Sequence, residues 1–148
     1  MSQNTESKNR RPTSLLIVCE GNTCRSPMAE ALARRNWPDC IVKSVGIKVP
    51  PGNTRAAPQA IATMSAHGLN IENHKPTPIT EVVIDQFEFV LALCKPAHKV
   101  LVTDYHVSES KIVKLYVKDP FDDNDGQYVH CANKLARGLK ELFSTESH

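Results

Sequence analysis

The 148-residue chain is poor in aromatic side chains, at 5%, and has no apolar run as long as a membrane span. The first scarcity leaves few rings to wall a substrate site. The second excludes insertion of a helix into a bilayer. Charge of one sign is also missing. Eighteen Lys and Arg against 16 Asp and Glu leave a formal charge of +2, too small to draw the chain to nucleic acid or to an anionic membrane surface. No Gly-Lys-Ser/Thr run follows a glycine loop, so the Walker-type nucleotide loop is excluded. The five cysteines fit no zinc spacing, and neither a metal nor another cofactor is expected. Their odd number, with a polar opening stretch that lacks the apolar centre of a secretion signal, points to a reducing, cytoplasmic setting. Residues 1–13 read as a disordered tail and residues 14–148 as one domain with a full-sized core.

What is present is concentrated in one segment. Leu15-Leu16-Ile17-Val18 leads into Cys19-Glu20-Gly21-Asn22-Thr23-Cys24-Arg25, and Ser26-Pro27 then opens the helical pattern Met28 to Arg35. A buried strand, a tight loop and a helix in this order aim backbone N–H groups and the positive helix end into a bowl. Such a bowl suits a tetrahedral oxyanion, phosphate among them. It also favours the thiolate, the nucleophilic form, of a cysteine at its lip. Arg25 adds a planar fork for two anion oxygens. Cys19 is the candidate nucleophile, and Glu20 to Cys24 are the candidate walls of the bowl.

Further strands are expected at Ile41 to Val45, Phe87 to Leu93 and Ile112 to Val117, after the first at Ser14 to Cys19. Helices are expected over Ser26 to Asn36, with Ser26 as N-cap and Pro27 at the first helical position, and over Pro58 to Ala66, closed by Gly68. A short helix is expected at Thr80 to Gln86 with Thr80 as N-cap, then Pro96 to Asp104, and last Gln127 to Phe143. The last carries an apolar stripe of Tyr128, Cys131, Leu135, Leu139 and Leu142. Short apolar strands alternating with helices predict an α/β domain, a four-stranded parallel sheet with helices on both faces, with the phosphate-binding loop between the first strand and the first helix. Ligands in such sheets bind beyond the carboxyl ends of the strands. Cys19 stands at one such end, and Asp119 follows another.

A thiolate that attacks phosphorus needs a partner that protonates the leaving group and later deprotonates water. Asp119-Pro120, opening the acidic stretch Phe121 to Gly126, has the right place for it. That stretch lacks the closing glutamate of an EF-hand and reads as a solvated loop.

The Cys19 to Pro27 run, the Asp119-Pro120 pair and the length resemble the low-molecular-weight protein tyrosine phosphatase family, from Ser14 to the end of the chain. Ser44-Val45-Gly46, Gly68-Leu69-Asn70-Ile71 and His74 also fit its pattern. The resemblance implies a metal-free, two-step hydrolysis of phosphoprotein through a phosphocysteine, with Cys19 as nucleophile, Arg25 as phosphate clamp and Asp119 as general acid and base. It implies that Ser26 hydrogen-bonds the thiolate, that Asn22 holds the loop in a strained shape, and that His74 ties Asn22 or its neighbours. It also implies a reversible Cys19–Cys24 disulfide as protection against over-oxidation.

The chain departs from that pattern in four ways. The loop Ile47 to Thr54 has no aromatic residue, so Phe121 is the one ring expected beside a phosphotyrosine. Thr23 stands where tyrosine-directed members often carry isoleucine and relatives that act on phosphoarginine carry threonine. Glu20 is unusual at a phosphate rim, where it either repels anions, recognises a cationic substrate or faces solvent. Finally, Cys94 lies where thioredoxin-coupled arsenate reductases place a relay cysteine, but no second relay cysteine lies between Lys95 and His130. Phosphoarginine hydrolysis, arsenate reduction and silent phosphate binding are therefore the alternatives to phosphotyrosine hydrolysis.

Overall fold

The structure is a computed structural model and describes residues 11–120 and 125–143. Four strands, β1 (Ser14–Cys19), β2 (Ile41–Gly46), β3 (Phe89–Ala92) and β4 (Ile112–Lys114), form one sheet in the order β2-β1-β3-β4. Every pairing is parallel. Helices α1 (Arg25–Asn36), α2 (Pro58–Ala66), α3 (Lys95–Thr103) and α4 (Asp125–Leu142) connect and cover the strands.

The strands are apolar on both faces because both faces are covered. In β1, Leu15 and Ile17 point to a core shared with Met28, Leu32, Met64, Leu135 and Leu139 of α1, α2 and α4. Leu16 and Val18 point the other way, to Ala97 and Leu101 of α3 and to Ile79 and Ile84. Trp37 and Phe143 close the first core with ring centroids 5.6 Å apart, edge to face, an arrangement that adds about 0.5–1.5 kcal/mol to simple burial.

The chain steps from β1 outward to β2 and then crosses back past β1 to β3, so the direction of winding reverses at β1. The carboxyl end of β1 is therefore the topological switch point, where such sheets bind their ligands.

Several expected boundaries moved. Helix α1 starts at Arg25 with Cys24 as N-cap and no side-chain cap, so Ser26 is not the cap and Pro27 is the third helical residue. No side chain caps the helix N-terminus, and the Ser26 hydroxyl lies against Cys19 instead. Thr80 to Gln86 forms no α-helix. It makes two 3₁₀ turns, Ile79–Glu81 and Ile84–Gln86, and Pro78, not Thr80, precedes the first. The β-branched pair between them explains the break, since Val82 and Val83 are both extended. Strand β3 begins at Phe89 because Phe87 closes the second turn. Strand β4 stops at Lys114, although Leu115 and Val117 still donate to Ala92 and Leu93 carbonyls. Helices α3 and α4 begin at Lys95 and Asp125, one and two residues earlier than expected.

Of the expected tail, residues 1–10 lie outside those described. Thr13 is tied down: its N–H and hydroxyl both donate to Glu88, at 2.8 and 3.0 Å. Phe121 and the acidic residues Asp122 and Asp123 lie outside the described residues as well. Among the described residues, no helix is long and apolar enough to cross a membrane.

Candidate active site

The bowl is built around Asn22. It has φ of 58°, in the left-handed region that asparagine tolerates better than most residues. The residue is fully buried, and every polar atom of its side chain is used. The amide nitrogen donates to Ser26 Oγ at 2.7 Å and to Ser44 Oγ at 3.0 Å. The amide oxygen accepts the Thr77 N–H at 2.8 Å. The Asn22 carbonyl accepts from His74 Nε2, also at 2.8 Å, which places the His74 proton on that nitrogen. Behind Ser44 stands Glu30, which accepts the Ser44 hydroxyl at 2.5 Å and pairs with Arg34 at 2.7 Å. The loop thus hangs from β2, α1 and the 74–77 segment at once.

Gly46 is part of the same construction. A Cβ there would lie 2.6 Å from the Glu20 carbonyl oxygen and 3.1 Å from Asn22 Cβ. The close passage of β2 beneath the loop requires a residue with no side chain.

At the bottom of the bowl, Cys19 Sγ lies 2.8 Å from Ser26 Oγ and accepts the Asn22 N–H at 3.3 Å. With Asn22 donating to Ser26 Oγ, the Ser26 hydroxyl proton is available to the sulfur. Arg25 is buried. Its Nη1 donates to the Val117 carbonyl at 3.1 Å, and its Nη2 lies 3.6 Å from Asp119 and 3.9 Å from Glu20. The sheet therefore brings Asp119, 100 residues from Cys19 by sequence number, over the same bowl. The cavity holds about 420 Å³, and its described lining is Cys19 to Arg25, Lys48, Pro50, Asn53 and Asp119, without an aromatic ring. A larger cavity, of about 660 Å³, lies between α1 and residues 69–77, but it carries none of the Cys19, Arg25 and Asp119 chemistry.

The remaining site expectations separate. Thr23 and Cys24 line the bowl, and Cys24 Sγ reaches the Tyr128 hydroxyl at 3.5 Å. Burial raises the Cys24 pKa, so it stays a thiol near neutral pH. Cys94 does not line the bowl's cavity; it caps α3 and is buried, which also raises its pKa. Val117, Tyr128 and Glu30 were not singled out for the site. The apolar spacing of α4 marked Tyr128 for the core, and nothing in the sequence marks a backbone carbonyl as an arginine anchor. Among the described residues, no group of three or more His, Cys, Asp or Glu is placed to hold a metal ion.

The family described as low molecular weight phosphotyrosine protein phosphatase matches residues 14–147. This chain belongs to that family. As such it is a hydrolase, a protein phosphatase. Among its relatives, the Bacillus subtilis protein-arginine-phosphatase is 30% identical over 141 residues, covering 86% of this chain and 93% of the relative. The probable low molecular weight protein-tyrosine-phosphatase EpsP of Ralstonia solanacearum is 30% identical over 112 residues, 76% of this chain and 77% of the relative. In three dimensions, the YwlE arginine phosphatase from Geobacillus stearothermophilus superposes with a TM-score of 0.79 at 27% identity, over 88% of this chain and 90% of that one. Vibrio vulnificus Wzb in complex with benzylphosphonate gives a TM-score of 0.80 at 22% identity, over 87% and 95%, a likeness of fold.

Proposed function

We propose that the chain hydrolyses phosphotyrosine in proteins by two displacements on Cys19. The observation that carries this reading is the convergence of Cys19, buried Arg25 and Asp119 on one bowl. A phosphoryl group in the bowl meets the loop N–H groups and Arg25, and charge-assisted hydrogen bonds of this kind contribute about 1.5–3 kcal/mol each. That field lets two anions, thiolate and phosphate, approach each other. The sulfur attacks phosphorus as the P–O bond to the leaving group breaks, and Asp119 gives the leaving oxygen a proton. Asp119 then takes a proton from water as water attacks the phosphocysteine. The P–S bond breaks, phosphate leaves, and the thiolate is received by the Ser26 hydroxyl. Ser26 acts through the sulfur, and Asn22 and His74 act by holding the loop.

A second reading is phosphoarginine hydrolysis. Thr23 in the bowl, the ring-free described lining and the full-length likeness to the B. subtilis protein-arginine-phosphatase favour it. An arsenate relay is less well supported, because Cys94 is buried and burial favours its thiol form. Silent phosphate binding is opposed by the presence of nucleophile, clamp and acid together. We place the protein in a reducing, cytoplasmic setting, a reading supported by its five unbridged cysteines. Its near-balanced charge supports phosphoprotein, not nucleic acid, as partner.

The test is hydrolysis of an aryl phosphate in the presence of a metal chelator by the wild type and by Cys19→Ser. Turnover by the wild type and none by the variant is expected. Undiminished turnover by Cys19→Ser would rule out the covalent route.

A further inference from the structure

We propose that Glu20 sets a charge preference at the mouth of the bowl, favouring substrates that carry a positive group beside the phosphoryl group. This rests on the phosphatase reading above. The guanidinium of Arg25 is held at one end by the Val117 carbonyl, at 3.1 Å. Its other nitrogen faces two carboxylates, Asp119 at 3.6 Å and Glu20 at 3.9 Å. Both contacts are longer than a hydrogen bond, and both carboxylates are about half exposed, at 48% and 47%. Arg25 itself is buried, while the Glu20 carboxylate is half exposed.

A tetrahedral oxyanion entering the bowl takes over that guanidinium nitrogen at hydrogen-bond distance. Glu20 then loses its share of Arg25 and stands beside a second anion. Asp119 has a use for its position, since it exchanges a proton with the leaving group. Glu20 follows Cys19 directly, and its backbone is pinned: its carbonyl accepts the Lys48 N–H at 2.8 Å and passes close over Gly46. Its side chain therefore remains at the mouth. Lys48 also lines the cavity, on a long exposed stem whose ammonium is readily solvated.

The charge balance at the mouth follows. With a neutral leaving group, the Glu20 carboxylate opposes entry of the phosphate dianion. With a guanidinium or ammonium next to the phosphorus, the same carboxylate has a partner. The cation has two possible sources with the same chemistry. It can be the leaving group itself, as in phosphoarginine, or a basic side chain flanking phosphotyrosine.

The experiment compares wild type and Glu20→Gln on four substrates: an uncharged aryl phosphate, a phosphotyrosine peptide flanked by alanine, the same peptide flanked by arginine, and a phosphoarginine peptide. For an exposed charge pair, kcat/KM on the uncharged and alanine-flanked substrates should rise about threefold in the variant, and on a cationic substrate fall about threefold. The difference should shrink as salt is raised through the range where the Debye length drops below about 8 Å. A fall confined to phosphoarginine identifies the leaving group as the cation, and a fall on the arginine-flanked peptide identifies the neighbour. Glu20→Lys should enlarge the shift in the same sense. Parallel changes on all four substrates would overturn the proposal. A wild type inert on every substrate would instead overturn the phosphatase reading beneath it.

Discussion

The floor of the bowl and its mouth are built on opposite terms. The floor is buried, its polar groups are matched one to one, and it hangs from three separate parts of the fold through Asn22. The mouth is more exposed, lined by Glu20, Lys48 and Asp119. A rigid floor suits a reaction centre that is the same for every phosphoryl substrate. A looser mouth suits the part of the substrate that differs. On the proposed function, the floor holds the phosphoryl group, while the mouth meets the leaving group through Asp119 and the rest of the substrate through Glu20, so changes in each layer should have different signatures.

The largest effect on the mouth side should come from Asp119→Asn. Stopped assays should show kcat lower by roughly 10²–10⁴ on a poor leaving group, and by less on an activated aryl phosphate that departs without a proton. Equal losses on both would remove Asp119 from the acid role. On the floor, Asn22→Ala deletes three hydrogen bonds, two of them buried, leaving Ser26, Ser44 and the Thr77 N–H short of a partner. At about 1 kcal/mol each, urea melts should show a loss of about 2–4 kcal/mol together with lowered kcat. A stable, fully active Asn22→Ala would break the contrast between floor and mouth. Gly46→Ala should be milder, about 1–3 kcal/mol, because β2 must shift away from the Glu20 carbonyl.

A further effect lies away from both layers. Burial pushes Cys131 up to about 12 from an ordinary 9.0. Below pH 9 the thiol is neutral in folded and unfolded chains alike. Above it the unfolded chain gives up the proton first, so stability should decline between pH 9 and about 12. Cys131→Ala should flatten that limb, and an unchanged limb would point to other groups.

Much of this was legible in order along the chain. Strand β1 and helix α2 have the expected limits because continuous apolar runs and the Pro58 to Gly68 punctuation are local signals. The bowl was legible for the same reason, since Cys19, the walls and Arg25 are contiguous. Asp119 needed only the rule that strand ends share one edge. What could not be read was the support. Thr77 and Ser44 meet Asn22, and Glu30 meets Ser44, only once β2 and the 74–77 segment fold against the loop, and their sequence separations carry no periodicity. The Val117 carbonyl has no side-chain signature at all. The expected helix at Thr80 to Gln86, which does not form, shows the opposite failure, where a cap residue was outweighed by two adjacent β-branched residues.

The central claim is a phosphocysteine formed on Cys19. It is tested most directly by rapid quenching of the enzyme with an aryl phosphate, followed by mass mapping of the phosphorylated residue. A burst of aryl alcohol equal to the enzyme present, with the phosphoryl group on Cys19 and both signals gone in Cys19→Ser, is the expected result. A phosphoryl group on another residue, or turnover that persists without Cys19, would contradict it.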